Sequence, residues 1–503
     1  MTQKTRIFKA CLICAAALLF FVAAQMQGRL NAERTDLGLT RLAPLENAPP
    51  ALAFTSVALG GFRGLIANAL WMRANDLQNE DKYFEMVQLA DWITKLEPHF
   101  VSVWTVQAWN MAYNISVKFK DPEDRWQWVN RGIHLLRDEA IPINPHEVLI
   151  YRELAWLFQH KIGANLDDAQ QLYKLRLAQE MQPLLGGRPN FDALINPKTD
   201  ADREKVRQIK EKFKMDPKLI KEVDEQYGPF DWRLPDAHAI YWAELGRRES
   251  KLHPKDEETL RRVIYQSMQA ACIRGGALDK SVTNVTERNF MLWPNLDLVP
   301  KASDTYLKLI NEEEGQVLKD NARNAHKNFL KQIVYLLYEA DRIPEANHWF
   351  TYLKTNYPNA FILKQANISL DDYCLGQIMT DNSEADMNKV TDSISATFHH
   401  AFMCVISDNE DGYQNSEFMA KRIYDHFTEK IGEISKQRLK LKSLKDMKDR
   451  VLRIELDPHN NLISPEDKMI LRTRFKLPAP KAEPTPAPAA TQEAQTPATE
   501  TKQ

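Results

Sequence analysis

Apolar residues recur at three- and four-residue intervals along most of this chain, the spacing that gathers them on one face of an α-helix. The stretch from Lys327 to Ala360, KNFLKQIVYLLYEADRIPEANHWFTYLKTNYPNA, shows it best. Leu330, Ile333, Val334 and Leu337 mark a first helix. A polar turn at Asp341–Arg342 follows, and Ala346, Phe350 and Leu353 mark a second helix that Pro358 stops. The same plan runs from Ala67 to Phe100. Leu70, Ala74 and Leu77 fall on its first helix, and Tyr83, Met86, Ala90 and Ile93 on its second, ahead of Pro98. Trp104, Ala108 and Met111 carry the face into a following unit. Tyr151, Leu154, Ala155 and Phe158 repeat the first-helix spacing, as do Trp242, Leu245 and Gly246.

The unit length of about 34 residues, the A-x3-F…P run at Ala346, Phe350 and Pro358, and the W-x2-L-G element at Trp242, Leu245 and Gly246 resemble the tetratricopeptide repeat family. The resemblance covers roughly half the chain in about five units, two of them clear. It implies an all-α fold in which helix pairs stack into a solenoid, because one pair cannot bury its apolar face alone. Small residues such as Ala74, Ala90, Ala155 and Ala346 let helices approach, and Trp71, Trp104 and Phe350 fill the grooves beside them. The concave face is then free to hold a protein partner. An architecture of this kind carries no chemistry of its own.

Repeats are expected over residues 67–185 and 237–360. Between them, 186–236 is a charged insertion and loop, in which Arg188–Gln226 is expected to form one or two exposed helices. A further helical region covers 361–476; its basic run Lys436–Lys448 lacks apolar partners and reads as a solvated helix face.

The two ends differ from this plan. Residues 1–27 hold Lys4, Arg6 and Lys9, then an uncharged run, ACLICAAALLFFVAA, from Ala10 to Ala24. A basic start before an apolar run is an export signal. Kept, it anchors the chain in the inner membrane through residues 10–26, with the N-terminus cytoplasmic and the bulk periplasmic. Cleaved near Ala24, it releases the chain. Residues 28–66 form a linker and a lead-in helix, whose GFRG…LW sequence resembles that of membrane-anchored bacterial repeat proteins. From 477 to 503 the chain is built of Pro, Ala, Thr, Glu and Gln and cannot bury a core.

Composition narrows the classes further. Only 17 glycines and few alternating runs in 503 residues argue against sheets, and no strand–turn–strand element is expected. A net charge of −2 excludes a global basic field for nucleic acid. Most of the 11 tryptophans sit at helical spacing among apolar neighbours and read as core.

Candidate chemistry is sparse. Tyr227–Trp242, YGPFDWRLPDAHAIYW, gathers Asp231, Trp232, Arg233, His238 and Trp242, a candidate binding surface on the concave face. The competing reading is a structured loop in which Trp232 caps the next helix pair and Asp231 and Arg233 are paired or solvated. His399, His400 and Cys404 lie close together but lack a second ligand pair for a metal. Cys11 and Cys14 form a C-x-x-C inside the apolar run, where a redox role does not fit, and Cys272, Cys374 and Cys404 imply no disulfide framework. Gly60, Gly61 and Gly64 precede a helix, yet no strand comes before them and no Gly-Lys-Ser/Thr follows. No catalytic residue, cofactor site or metal site is assigned. The expectation is a membrane-anchored scaffold for protein partners. The alternatives are a periplasmic peptide or glycan binder using Trp232 and Trp242, and a cell-wall hydrolase on a helical superhelix, which needs a protected acid in a cleft.

Overall fold

The helical spacing becomes helices in the computed structural model. It describes residues 63–478, except 250–256, 278–281, 284, 288–289, 313–314, 359–367, 376–382, 439–440 and 459–462, together with isolated positions before Arg63. The described residues are all-α apart from one two-residue ladder. They fall into two units, one running essentially to Arg323 and the other from Asn324.

The first unit opens on a hairpin of α1 (Arg63–Asn79) and α2 (Tyr83–Leu96). Met86 packs with Ala74 and Leu77, and Ala90 and Ile93 with Ala67 and Val103. Three helices follow, and each widens into a π-turn: α3 (Val101–Trp109, then Asn110–Ile115), α4 (Pro122–His134, then Leu135–Ala140) and α5 (Val148–Trp156, then Leu157–Ile162). Asp121 caps α4 by accepting from the Glu123 N–H, with Pro122 in the first turn, where a missing N–H costs nothing. Helix α4 crosses α3 at Gly132, where an added Cβ would lie 2.9 Å from the Ala108 carbonyl oxygen. Helix α6 (Gln170–Met181) packs on α4 and α5.

The charged insertion forms three helices rather than one or two: α7 (Phe191–Ile195), α8 (Asp200–Glu211) and α9 (Pro217–Tyr227). Helix α8 is mostly exposed and begins in a capping box of Thr199 and Asp202. Helix α9 is not exposed as expected, since Leu219, Ile220, Val223 and Tyr227 form a buried stripe beneath its charges. Then α10 (Pro235–Glu249) packs against α5 and α9, α11 (Glu257–Arg274) against α10, and α12 (Val299–Glu312) against α11. An antiparallel ladder, β1 (Gly276–Ala277) with β2 (Leu292–Trp293), corrects the expectation of no strand pair. Two residues per strand are too few to show an alternating pattern.

In the second unit, the later part of α13 (Gln316–Glu339) pairs with α14 (Ile343–Asn356). His326 Nδ1 and the Tyr357 hydroxyl lie 2.8 Å apart across the open end of that hairpin. Short α15 (Leu370–Leu375) lays Tyr373 on Phe350. A long hairpin of α16 (Ser383–Ile406) and α17 (Glu410–Arg438) follows, with α18 (Leu444–Glu455) and α19 (Pro465–Arg474) packed on α16.

Three hairpins share one turn. Asp81, Asp341 and Asp408 all take left-handed φ, of 59°, 55° and 51°. The next residue's N–H returns five residues: Lys82 to Leu77, Arg342 to Leu337 and Asn409 to Cys404, at 2.9, 2.9 and 2.8 Å. This is the Schellman closure, with aspartate at the position glycine usually holds.

Among the described residues no helix is long and apolar enough to cross a membrane. The expected anchor over 1–27 lies outside them but for isolated positions, as do Cys11, Cys14, Gly60, Gly61 and nearly all of the tail.

Candidate functional site

The loop from Tyr227 to Trp242 folds around one buried carboxylate. Asp224, near the end of α9, accepts from the Phe230 N–H at 2.9 Å and the Trp232 indole N–H at 3.0 Å. Asp231 pairs with Arg233 through two contacts of 2.8 and 2.6 Å and accepts from the Ala277 N–H, while Arg233 also donates to Gln182. His238 Nε2 lies 3.0 Å from the Trp232 carbonyl, and its ring stacks on Phe158. Burial holds that imidazole down at about 4, so it is neutral near pH 7.

The structure therefore brings Asp231, Trp232, Arg233 and His238 together, but not as a surface. Trp232 is 0% exposed, His238 1%, Trp242 2% and Arg233 4%. Trp242 lies one turn beyond His238 on α10, with its ring edge-on to Tyr241. His238 and Trp242 border a cavity of about 30 Å³, room for about one water. Four of the five candidate residues are thus buried, and Asp231 is partly exposed.

Aromatic rings less buried than these lie elsewhere in the same unit. Trp109 and Tyr113 stack at 5.4 Å where α3 passes into its π-turn. Trp156 and His160 stack at 4.4 Å at the same point of α5. The two pairs meet, with the Tyr113 hydroxyl 2.9 Å from His160 Nδ1. Trp109 is 39% exposed and the other three are half-buried. The Arg152 guanidinium sits 5.8 Å from the Trp156 ring.

Sequence inspection missed these four residues, although a signal exists. Trp156 stands 47 positions after Trp109, as His160 does after Tyr113. The repeat extends further: Pro98, His99, Val101, Trp104, Ala108 and Ile115 match Pro145, His146, Val148, Tyr151, Ala155 and Ile162. It also holds in hydrogen bonding, for Trp104 donates to the Pro98 carbonyl and Tyr151 to the Pro145 carbonyl, both at 2.8 Å.

A cleft of about 320 Å³ opens elsewhere in this unit, along α11 and α12. Tyr227, Ile264, Tyr265 and Leu309 give it apolar walls. Its arginines already have carboxylates: Arg247 pairs with Glu244 and Glu257, and Arg261 with Glu257 and Glu312. Lys301 covers the Asp224 and Glu225 carbonyls at the end of α9.

In the second unit His399 bonds Glu455 at 2.7 Å and His400 bonds Ser416 at 2.8 Å, with the Cys404 thiol 3.5 Å from His400 Nε2. No group of three or more metal-ligating side chains occurs among the described residues. Cys272, Cys374 and Cys404 are buried free thiols. Burial pushes the Cys404 thiol up to about 12, the reverse of what a nucleophile needs.

No family model matches this chain, and no curated protein or solved structure matches it.

Proposed function

We propose that this chain is a tetratricopeptide-like scaffold of a bacterial envelope, held in the inner membrane through residues 10–26, that binds protein partners through the aromatic face of α3 and α5. The repeated pairs, Trp109 with Tyr113 and Trp156 with His160, carry this reading. Stacked rings that keep exposed edges provide rigid, amphipathic contact area at low entropic cost, the usual anchor of an interface. Two packed helices each carry a tryptophan stacked on a second ring four positions later, 47 residues apart, and the two pairs meet at Tyr113 and His160. Periodic helix pairs with left-handed aspartate turns support the repeat architecture.

The test is crosslinking and co-purification of the full chain from membranes, beside a Trp109→Ala/Trp156→Ala variant, with the mature N-terminus read by mass spectrometry. A reproducible set of envelope proteins, lost in the variant while its unfolding midpoint holds, is the expected result. An identical set with both proteins refutes the aromatic face. A new N-terminus near Gln25 refutes the anchor.

The cleft along α11 and α12 favours a second reading, binding of a small peptide or glycan, since about 320 Å³ is at the lower end of ligand-site volumes. Saturable binding of such a ligand, abolished by Tyr265→Ala and untouched by Trp109→Ala, would establish it instead.

A further inference from the structure

Two buried charged side chains, Lys174 and Asp236, lie beside the partly exposed Arg274. Lys174 of α6 is 1% exposed and Asp236, in the first turn of α10, is 2% exposed; Arg274 ends α11. Lys174 Nζ donates to two neutral amides, Asn165 and Gln170, and makes no ion pair among the described residues. Asp236 Oδ2 stands 3.8 Å from Arg274 Nε, beyond hydrogen-bond range. Asp236 Oδ1 and Arg274 Nε have no hydrogen-bond partner there. Buried polar atoms are nearly always paired, and a buried charge without a close counter-charge is costly.

Among the described residues, the surroundings do not supply the missing partner. Arg274 and Cys272 face Asp236 from α11, and Lys174 from α6. On α10 itself His238 is neutral. Glu153 and Lys161 of α5 are engaged by Arg152 and Asp167. Asp224 of α9 holds Trp232, and Asp231 in the preceding loop holds Arg233.

We infer that Lys174, Asp236 and Arg274 form a proton-sensitive latch where α6 meets the start of α10 and the end of α11, and that this junction opens most readily when all three groups are ionised. Burial raises the Asp236 carboxyl to about 6, and burial, followed by the nearby Arg274 charge, lowers Lys174 to about 7. A raised carboxyl pKa favours the closed state in acid, and that help is lost as pH rises through about 6. A depressed lysine pKa favours the closed state in base, and that help is lost as pH falls through about 7. The two arms leave the junction weakest between about pH 6 and 7.

Cys272, fully buried beside Asp236, reports the opening. The full chain is reacted under native conditions with N-ethylmaleimide, and the Cys272 peptide is quantified by mass spectrometry. Its rate, divided into that of the urea-unfolded chain at the same pH, gives a protection factor. In Lys174→Met and Asp236→Asn that factor should exceed the wild-type value between about pH 6 and 7. The Lys174→Met excess should shrink as pH rises above about 7, and the Asp236→Asn excess as pH falls below about 6, each by up to about tenfold per pH unit. Ratios to wild type that stay flat with pH overturn the latch, because a purely structural role changes protection equally at every pH. Should one variant fail to fold, the other arm decides by itself.

Discussion

Gly246 of α10 lies against Tyr151 of α5 so closely that an added Cβ would sit 2.6 Å from the Tyr151 Cβ and 3.0 Å from Leu260 Cδ1. The Tyr151 ring has little room to move aside: its hydroxyl is tied to the Pro145 carbonyl, and the residue is 2% exposed. Gly246→Ala should therefore destabilise the first unit by about 1–3 kcal/mol despite the better helix propensity of alanine. Urea unfolding checks it, and a stability gain would mean the helices separate freely.

The aspartate turns predict opposite outcomes for two substitutions at one position. Asp341 holds a left-handed φ of 55°, which glycine adopts without strain and a β-branched residue resists. Asp341→Gly should be close to neutral, and Asp341→Val should cost about 1–2 kcal/mol. Equal midpoints for the two would show that the turn adapts.

Asp224 serves two buried donors, the Phe230 N–H and the Trp232 indole N–H. Asp224→Ala strands both and should cost about 2–5 kcal/mol. Partner capture, measured under conditions where the variant remains folded, should be unchanged. Loss of capture without loss of stability would return the loop to candidacy as a binding site.

Burial sets the contrast between tryptophans. Trp232→Ala, at 0% exposure, should cost about 3–5 kcal/mol. Trp109→Ala, at 39% exposure, should cost under about 1 kcal/mol. Thermal melts of the two variants separate core from surface, and similar losses would place Trp109 in the core.

Buried imidazoles set the acid side. His238, His326 and His400 are all held down at about 4 by burial. A depressed pKa gives stability that is full above about 6.5 and falls as pH drops toward about 4. His399 runs the other way: its hydrogen bond to Glu455 raises it, so its contribution fades as pH climbs through the raised value. His400→Asn should flatten part of the acid loss of the urea midpoint, and His399→Asn should remove part of the loss on the alkaline side. Unchanged pH profiles would refute both assignments.

The hairpins were legible because their information is local. Helical spacing in 67–100 and 327–360, with Pro98 and Pro358 as stops, predicts helices that the structure forms at α1–α2 and α13–α14. Of the three aspartate turns, the sequence marks only the one at Asp341; those at Asp81 and Asp408 carry no distinct local signature. Helix α9 read as solvated because Lys218, Lys221, Glu222 and Glu225 surround its buried stripe. The 47-residue match was present in the letters, but it begins and ends out of step with the 34-residue unit.

By itself the sequence determined the all-α class, the two clear helix pairs and the loop constellation of Asp231, Trp232, Arg233 and His238, since each depends on residues within a turn or two of one another. Only the tertiary structure decided which aromatic rings face outward and which charges meet inside. Trp232 and Trp109 look alike as residues; what separates them is that Asp224 and α10 close over the first, while α3 and α5 leave the second at their edge. Lys174, Asp236 and Arg274 are far apart in the chain, and no local pattern brings them together. Their meeting follows from how helices pack, and packing depends on shapes of side chains distant in sequence.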